Sequence, residues 1–243
     1  MEKYNSLEFC KNYIKAWLGK MEGEVNLSNR RSWHNSSEWT IKHLTILYDL
    51  ARGLGYILDD EKQSYGCSVQ QEYYRVDFTL YNHIKDSYWN LDYAIEHENE
   101  KYYIKKNKLK KKGWFDEFAK LLPLKCRNSR VIIGYEYFYE EGEEYYEECN
   151  SIKRKIKNCE DLLNNKEVQQ SMANSPVLLI LFPNTEKMRK IGNGQSKTNI
   201  LRMVEFTCDT SSGIWSSRDL AQDVLKEYQE RLISVYKQIA DKK

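Results

Sequence analysis

Residues 73–99 read Tyr-Tyr-Arg-Val-Asp-Phe-Thr-Leu-Tyr-Asn-His-Ile-Lys-Asp-Ser-Tyr-Trp-Asn-Leu-Asp-Tyr-Ala-Ile-Glu-His-Glu-Asn, and the pattern has a period of two. In the first half Tyr74, Val76, Phe78 and Leu80 alternate with Arg75, Asp77 and Thr79. In the second, Leu91, Tyr93, Ile95 and His97 alternate with Asp92, Ala94, Glu96 and Glu98. Alternation of this kind marks half-buried strands, whose successive side chains leave on opposite faces. A short polar loop around Lys85, Asp86 and Ser87 joins them, so an antiparallel hairpin is the simplest connection. A turn centred between Asp86 and Ser87 sets Asp77 opposite Glu96, a register that loop length or a bulge can shift by one or more residues.

The period around this hairpin is helical. Leu7, Tyr13 or Ile14, Trp17 and Leu18 predict a first helix ending near Gly19. Ser36 or Ser37 caps a second, in which Trp39, Ile41, Leu44, Leu47, Tyr48 and Ala51 form a broad apolar stripe closed by Gly53 and Gly55. Gly113-Trp-Phe-Asp-Glu-Phe-Ala-Lys-Leu-Leu begins another helix, stopped at Pro123. Arg130 to Phe138 predicts a strand, Glu143 to about Val168 a long helix, and Val177 to Phe182 a central strand between Pro176 and Pro183. A polar loop from Asn184 to Thr198 leads to a strand at Ile200 to Phe206, and a final helix starts at about Ser217. The order implies an α/β fold, a central mixed β-sheet flanked by helices. With no repeat and no biased linker, residues 1–243 read as a single domain.

Composition limits the function classes. The 38 Lys and Arg against 36 Asp and Glu leave a net charge of +2, which excludes a globally basic nucleic-acid binder but not local charge segregation. No stretch approaches the roughly 18 apolar residues of a membrane helix, and the N-terminal Met-Glu-Lys-Tyr-Asn lacks a signal peptide's apolar segment. A cytoplasmic protein is expected. The 6 cysteines are widely and irregularly spaced with no C-x-x-C pair, so they read as reduced structural thiols. Phosphate-binding, dinucleotide, serine-hydrolase and zincin motifs are absent from the sequence.

What remains is a set of acids, Asp77, Glu96 and Glu98, with 18 residues between the first two. Three acids on one sheet face repel unless a cation joins them, and an oxygen-only donor set suits Mg2+ or Mn2+. The alternative is an ordinary wet sheet face. Asp77 within Arg-Val-Asp-Phe, followed by Glu96-His97-Glu98 within Ala-Ile-Glu-His-Glu-Asn, resembles the active-site signature of the PD-(D/E)xK, or restriction-endonuclease-like, nuclease superfamily. In that signature an Asp and a Glu-x-Lys on the next strand gather a divalent metal. Here Glu98 takes the place of the Lys, as in the BamHI-type restriction endonucleases. The resemblance spans about residues 36 to 138, and its specific part is only about ten residues.

The resemblance implies that Asp77 and Glu96 bind the metal, while Glu98 completes the site and accepts a proton from the attacking water. With the Lys absent, Lys120 and Glu117, one helical turn apart, are candidates for a displaced active-site pair; an exposed ion pair is the other reading. Glu38 is a further candidate ligand, although a Glu in a helix's first turn is explained by the dipole alone. His97 is expected on the opposite face, buried and hydrogen-bonded. Seven lysines fall between Lys101 and Lys112. Lys105, Lys106, Lys108, Lys110, Lys111 and Lys112 are candidate phosphate contacts, or else a solvated loop. Lys187, Arg189, Lys190 and Lys197, in a second polar loop, are further candidate phosphate contacts, or else belong to a disordered surface loop.

The resulting expectation is a Mg2+-dependent DNA endonuclease, a type II restriction endonuclease or a close relative, acting on double-stranded DNA as a homodimer. The rivals are a non-catalytic nucleic-acid-binding protein on the same fold and an RNA or structure-specific nuclease.

Overall fold

A computed structural model describes residues 6–25, 36–56, 76–83, 89–99, 101–105, 108–112, 114–136 and 152–241. The helices are α1 (Ser6–Val25), α2 (Ser36–Gly53), α3 (Trp114–Leu121), α4 (Ile152–Leu163), α5 (Lys166–Ser171), α6 (Thr185–Gly192) and α7 (Ala221–Asp241). The strands are β1 (Phe78–His83), β2 (Trp89–Asn99), β3 (Lys101–Lys105), β4 (Lys108–Lys112), β5 (Ser129–Glu136), β6 (Val177–Pro183), β7 (Arg202–Cys208) and β8 (Trp215–Asp219). Six strands form one mixed sheet in the order β1-β2-β5-β6-β7-β8, while β3 and β4 pair as a separate ribbon. The pairs β2/β5 and β5/β6 are parallel, and β1/β2, β6/β7 and β7/β8 are antiparallel.

The central strands β5 and β6 are buried along their whole length, as expected where helices cover both faces. On one face Phe78, Leu80, Tyr93, Ile95, Val131, Ile133, Leu178 and Ile180 pack with the inner sides of α1, α2, α6 and α7. On the other, Ala94, Ile132, Leu179, Leu181 and Val204 pack with α3 and α4. Each buried aliphatic or aromatic side chain contributes about 1.5–3 kcal/mol of transfer free energy. The two apolar layers therefore set which polar strand residues lie under α3. The expected mixed sheet flanked by helices is thus observed.

The hairpin register agrees with the sequence reading over Phe78↔Ile95, Thr79↔Ala94 and Leu80↔Tyr93. It then shifts by one, because Tyr81 pairs with Leu91 and leaves Asp92 as a bulge. The bulge reverses the alternation, so Leu91 packs under α3 and α4 and not with Tyr93 and Ile95. The alternation also breaks at the other end. Val76, expected beside Phe78 and Leu80, packs on the α3 side because the chain bends at Asp77 before β1 begins.

Other boundaries differ for local reasons. Helix α1 runs through Gly19 to Val25, because Gly19 is exposed while Tyr13, Ile14, Trp17, Leu18 and Met21 are buried around it. One exposed helical glycine costs only about 1 kcal/mol. Helix α2 ends as expected at Gly53 and Gly55: Gly55 has φ +82°, and its N–H donates to Arg52 O at 3.0 Å while Tyr56 N–H donates to Ala51 O at 2.9 Å, a Schellman closure. The long helix expected up to Val168 is broken after Leu163, where Asn165 accepts from the N–H groups of Glu167 and Val168 and starts α5; residues 137–151 lie outside the description. The expected loop at 184–198 contains α6, capped by Asn184. Strand β8, whose Trp-Ser-Ser-Arg-Asp sequence has no strand signature, occupies residues assigned to the start of the last helix, so α7 begins only at Ala221. The lysine-rich segment is a two-stranded ribbon and not a loop.

No helix among the described residues is long and apolar enough to cross a membrane.

Candidate active site

Asp77 sits in the bend before β1, and its Oδ2 accepts from the backbone N–H of His97 at 2.9 Å. That bond joins the entrance of β1 to the strand carrying the acids. Continuing the Phe78↔Ile95 register by one step sets Asp77 beside Glu96. Glu96 lies on the α3 side of β2 and is only 1% exposed.

Helix α3 supplies the other half of the cluster. Trp114, Phe118 and Leu121 are buried at helical spacing and seat α3 on the sheet. The seating brings Glu117 and Lys120 over Glu96. Lys120 Nζ lies 2.6 Å from Glu96 Oε1 and 3.1 Å from Glu117 Oε2. The exposed-ion-pair reading of Glu117 and Lys120 is therefore incomplete, because the lysine also binds a buried acid of another element.

The cluster contains three carboxyl groups and one ammonium. Burial, and then the charge of Asp77, push Glu96 up to about 9 in spite of the opposing Lys120 contact. Burial also raises Asp77, against the His97 N–H and the Glu96 hydrogen bond, which favour its charged form. Burial disfavours the charge on Lys120, but hydrogen bonds to Glu96 and Glu117 outweigh it and hold its pKa above the ordinary lysine range. Without a further cation, burial and the neighbouring Asp77 charge favour the protonated form of Glu96. Such a cluster is deficient in positive charge, and its oxygen-only donors match a hard divalent ion.

Among the described residues, no group of three or more His, Cys, Asp or Glu is arranged to hold a metal ion. Asp77 and Glu96 provide two donors. The backbone of Glu98 pairs with Gly134 two residues further along β2, on the strand face shared with Glu96, but its side chain lies outside the described residues. Glu38 falls in the first turn of α2, and its side chain is likewise outside them.

The remaining candidates are distributed differently. Lys187 is fully buried on α6 and is no surface phosphate contact; Met188 and Ile191 beside it turn that helix into the core. Arg189 and Lys197 are exposed and Lys190 is half-buried, all in or just after a helix that covers the sheet face opposite Glu96. Asp92 is separate from the cluster, with Oδ2 accepting from Tyr56 Oη at 2.8 Å. His97 turns to the opposite face as expected, where its ring stacks on His43 with centroids 3.6 Å apart and meets the edge of Tyr135. No His spacing in the sequence indicated that pair. Lys105, Lys108, Lys110, Lys111 and Lys112 lie on the ribbon, and Lys106 is outside the described residues.

One buried acid was missed from the sequence. Glu136 ends β5 and is 1% exposed; it accepts from Trp114 Nε1 at 2.5 Å and pairs with Lys155 of α4. The available signal was a lone acid at the end of a continuous apolar strand. Comparison with protein-family models, curated proteins and solved structures finds no match for this chain.

Proposed function

We propose that the chain is a metal-dependent endonuclease of the restriction-endonuclease-like class that hydrolyses phosphodiester bonds of double-stranded DNA, in the manner of a type II restriction endonuclease. The observation that carries this reading is the meeting of Asp77, Glu96, Glu117 and Lys120, contributed by a bend, a strand and a helix. The strand signature lacks its lysine at Glu98, and α3 returns one to Glu96.

Asp77 and Glu96, with Glu98, would hold Mg2+ or Mn2+. When bound, the ion supplies Lewis-acid polarisation of the scissile phosphate and lowers the pKa of a bound water. Lys120 stays protonated between Glu96 and Glu117, so it offsets negative charge growing on the phosphate and does not act as the base. Glu98 accepts the water's proton. The His97 N–H orients Asp77. Cutting both strands of a symmetric site calls for a two-fold homodimer, working in the cytoplasm where the cell's DNA is reached.

The test is plasmid DNA incubated with purified protein in Mg2+ or in EDTA, alongside Asp77→Ala and Glu96→Ala. Discrete Mg2+-dependent fragments, lost in both variants, are expected. Binding without cutting under every divalent metal would leave the non-catalytic reading standing, and cleavage of RNA with intact plasmid would make the chain an RNA nuclease.

A further inference from the structure

The ribbon has two chemically different faces. Its register sets Lys101 opposite Lys112, Tyr102 opposite Lys111, Tyr103 opposite Lys110, Ile104 opposite Leu109 and Lys105 opposite Lys108. Directly opposed residues of an antiparallel pair share a face, and successive pairs alternate. Lys101, Lys105, Lys108, Lys110 and Lys112 therefore share one face with Tyr103. Lys111 falls on the other face with Tyr102, Ile104 and Leu109. Five of the six lysines in the two strands are on one side.

Chain-local chemistry does not account for this sorting. Like charges directly opposed across a ladder are destabilising, yet Lys101 faces Lys112 and Lys105 faces Lys108. A two-stranded ribbon has little stability to spare. Lysines that merely protect a strand edge from aggregation need not be gathered on one face. A polyanion along that face would offset the repulsion.

The spacing and position suit duplex DNA. Lys108, Lys110 and Lys112 recur every second residue, about 6.8 Å along a strand, which is twice the roughly 3.4 Å axial charge spacing of one DNA strand. A two-stranded ribbon fits the major groove of B-form DNA, whereas the deep, narrow major groove of A-form RNA does not admit one. One residue separates β2 from β3 and one separates β4 from α3, so the ribbon is rooted between the strand of Glu96 and the helix of Lys120.

We propose that the β3–β4 ribbon is a DNA-gripping arm whose five-lysine face lies along the phosphates of the major groove, with Lys111 outside the contact. The proposal deepens the nuclease reading and rests on it for the choice of DNA as ligand. Its test is binding of a labelled random-sequence DNA duplex by the full chain in EDTA, which separates grip from cutting, over a series of KCl concentrations. Each phosphate contact adds about 0.9 to the slope of log Kd against log salt. The combined Lys108→Ala, Lys110→Ala and Lys112→Ala variant should lower that slope by about 3, the three Lys→Arg replacements should retain it, and Lys111→Ala should leave it unchanged. An unchanged slope in the triple alanine variant overturns the proposal, as does a loss in Lys111→Ala equal to that of a single face lysine, or equal affinity and slope for an RNA duplex. Plasmid cutting at the wild-type rate and salt dependence by the triple variant would remove the arm and keep the nuclease; a salt-slope loss in a chain that never cuts would remove the nuclease and keep the arm.

Discussion

Lys120 Nζ lies 2.6 Å from Glu96 Oε1, a bond from the last turn of α3 to the second half of β2. Glu96 is buried and the lysine about one-third exposed, so solvent reaches the cation more readily than the acid. The contact joins a buried carboxyl to a cation that opens outward, and breaking it from either side has different consequences.

Lys120→Met removes the ammonium and keeps the stem. The acids then lose the ammonium beside them, and Mg2+-dependent plasmid cutting is expected to fall by about 10²–10³-fold. Lys120→Arg should recover part of that loss, and single-turnover rates of the three proteins check it. A purely structural Lys120 would lower the melting temperature of Lys120→Met and leave the cutting rate per folded molecule intact.

The raised pKa of Glu96 makes stability depend on pH in the metal-free chain. Its carboxyl titrates near 9 when folded but in the ordinary range of about 4.5 when unfolded, so the folded state binds more protons between those values. Stability is therefore highest on the acid side of that window and falls as pH rises through it. Thermal melts in EDTA from pH 5 to about 9 should show a declining melting temperature, and Glu96→Gln should flatten the decline. Mg2+ should stabilise wild type most at the alkaline end.

Asp77→Asn keeps an acceptor for the His97 N–H while removing a negative ligand. Its melting temperature in EDTA should stay close to wild type, while its Mn2+-induced thermal shift and its cutting are lost. Asp77→Ala also leaves the His97 N–H without that acceptor, an added cost of about 1–3 kcal/mol that urea denaturation measures.

Arg130 is buried with no carboxylate paired to its guanidinium among the described residues; it donates to the carbonyls of Leu122 and Ser175 and lies 5.8 Å from the Trp215 ring. Burial lowers its pKa to about 10. Arg130→Met should cost about 3 kcal/mol by stranding both carbonyls, read as a lower urea midpoint at unchanged m-value. The slope of DNA binding against salt should not change.

Gly192 closes α6 against α7, where a Cβ would stand 2.4 Å from Tyr236 O. Backbone cannot yield as a side-chain tip can, so Gly192→Ala should cost about 3 kcal/mol or prevent folding. Differential scanning calorimetry distinguishes the two. The same substitution at Gly53, where a Cβ meets nothing within 4 Å, is the control.

By itself the sequence determined the elements with strong period: α2 and its glycine closure, the hairpin with Asp77 set toward Glu96, the apolar β6, and helices on both sides of a mixed sheet. Those properties are local, because a period of two or 3.6 states which side of an element is buried. Tertiary structure decided what periodicity cannot carry. The bend at Asp77 and the bulge at Asp92 each reverse a face over one residue. Strand β8 forms because β7 offers an edge, although only Trp215 among its residues favours a strand. Most of all, 20 residues lie between Glu96 and Glu117 and 23 between Glu96 and Lys120, and only the seating of Trp114, Phe118 and Leu121 on the sheet brings them together. A helix's angle about its own axis over a distant strand is set by that packing, so a lysine one turn from a glutamate reads in the sequence as a surface pair and becomes, in the fold, the counter-charge of a buried acid.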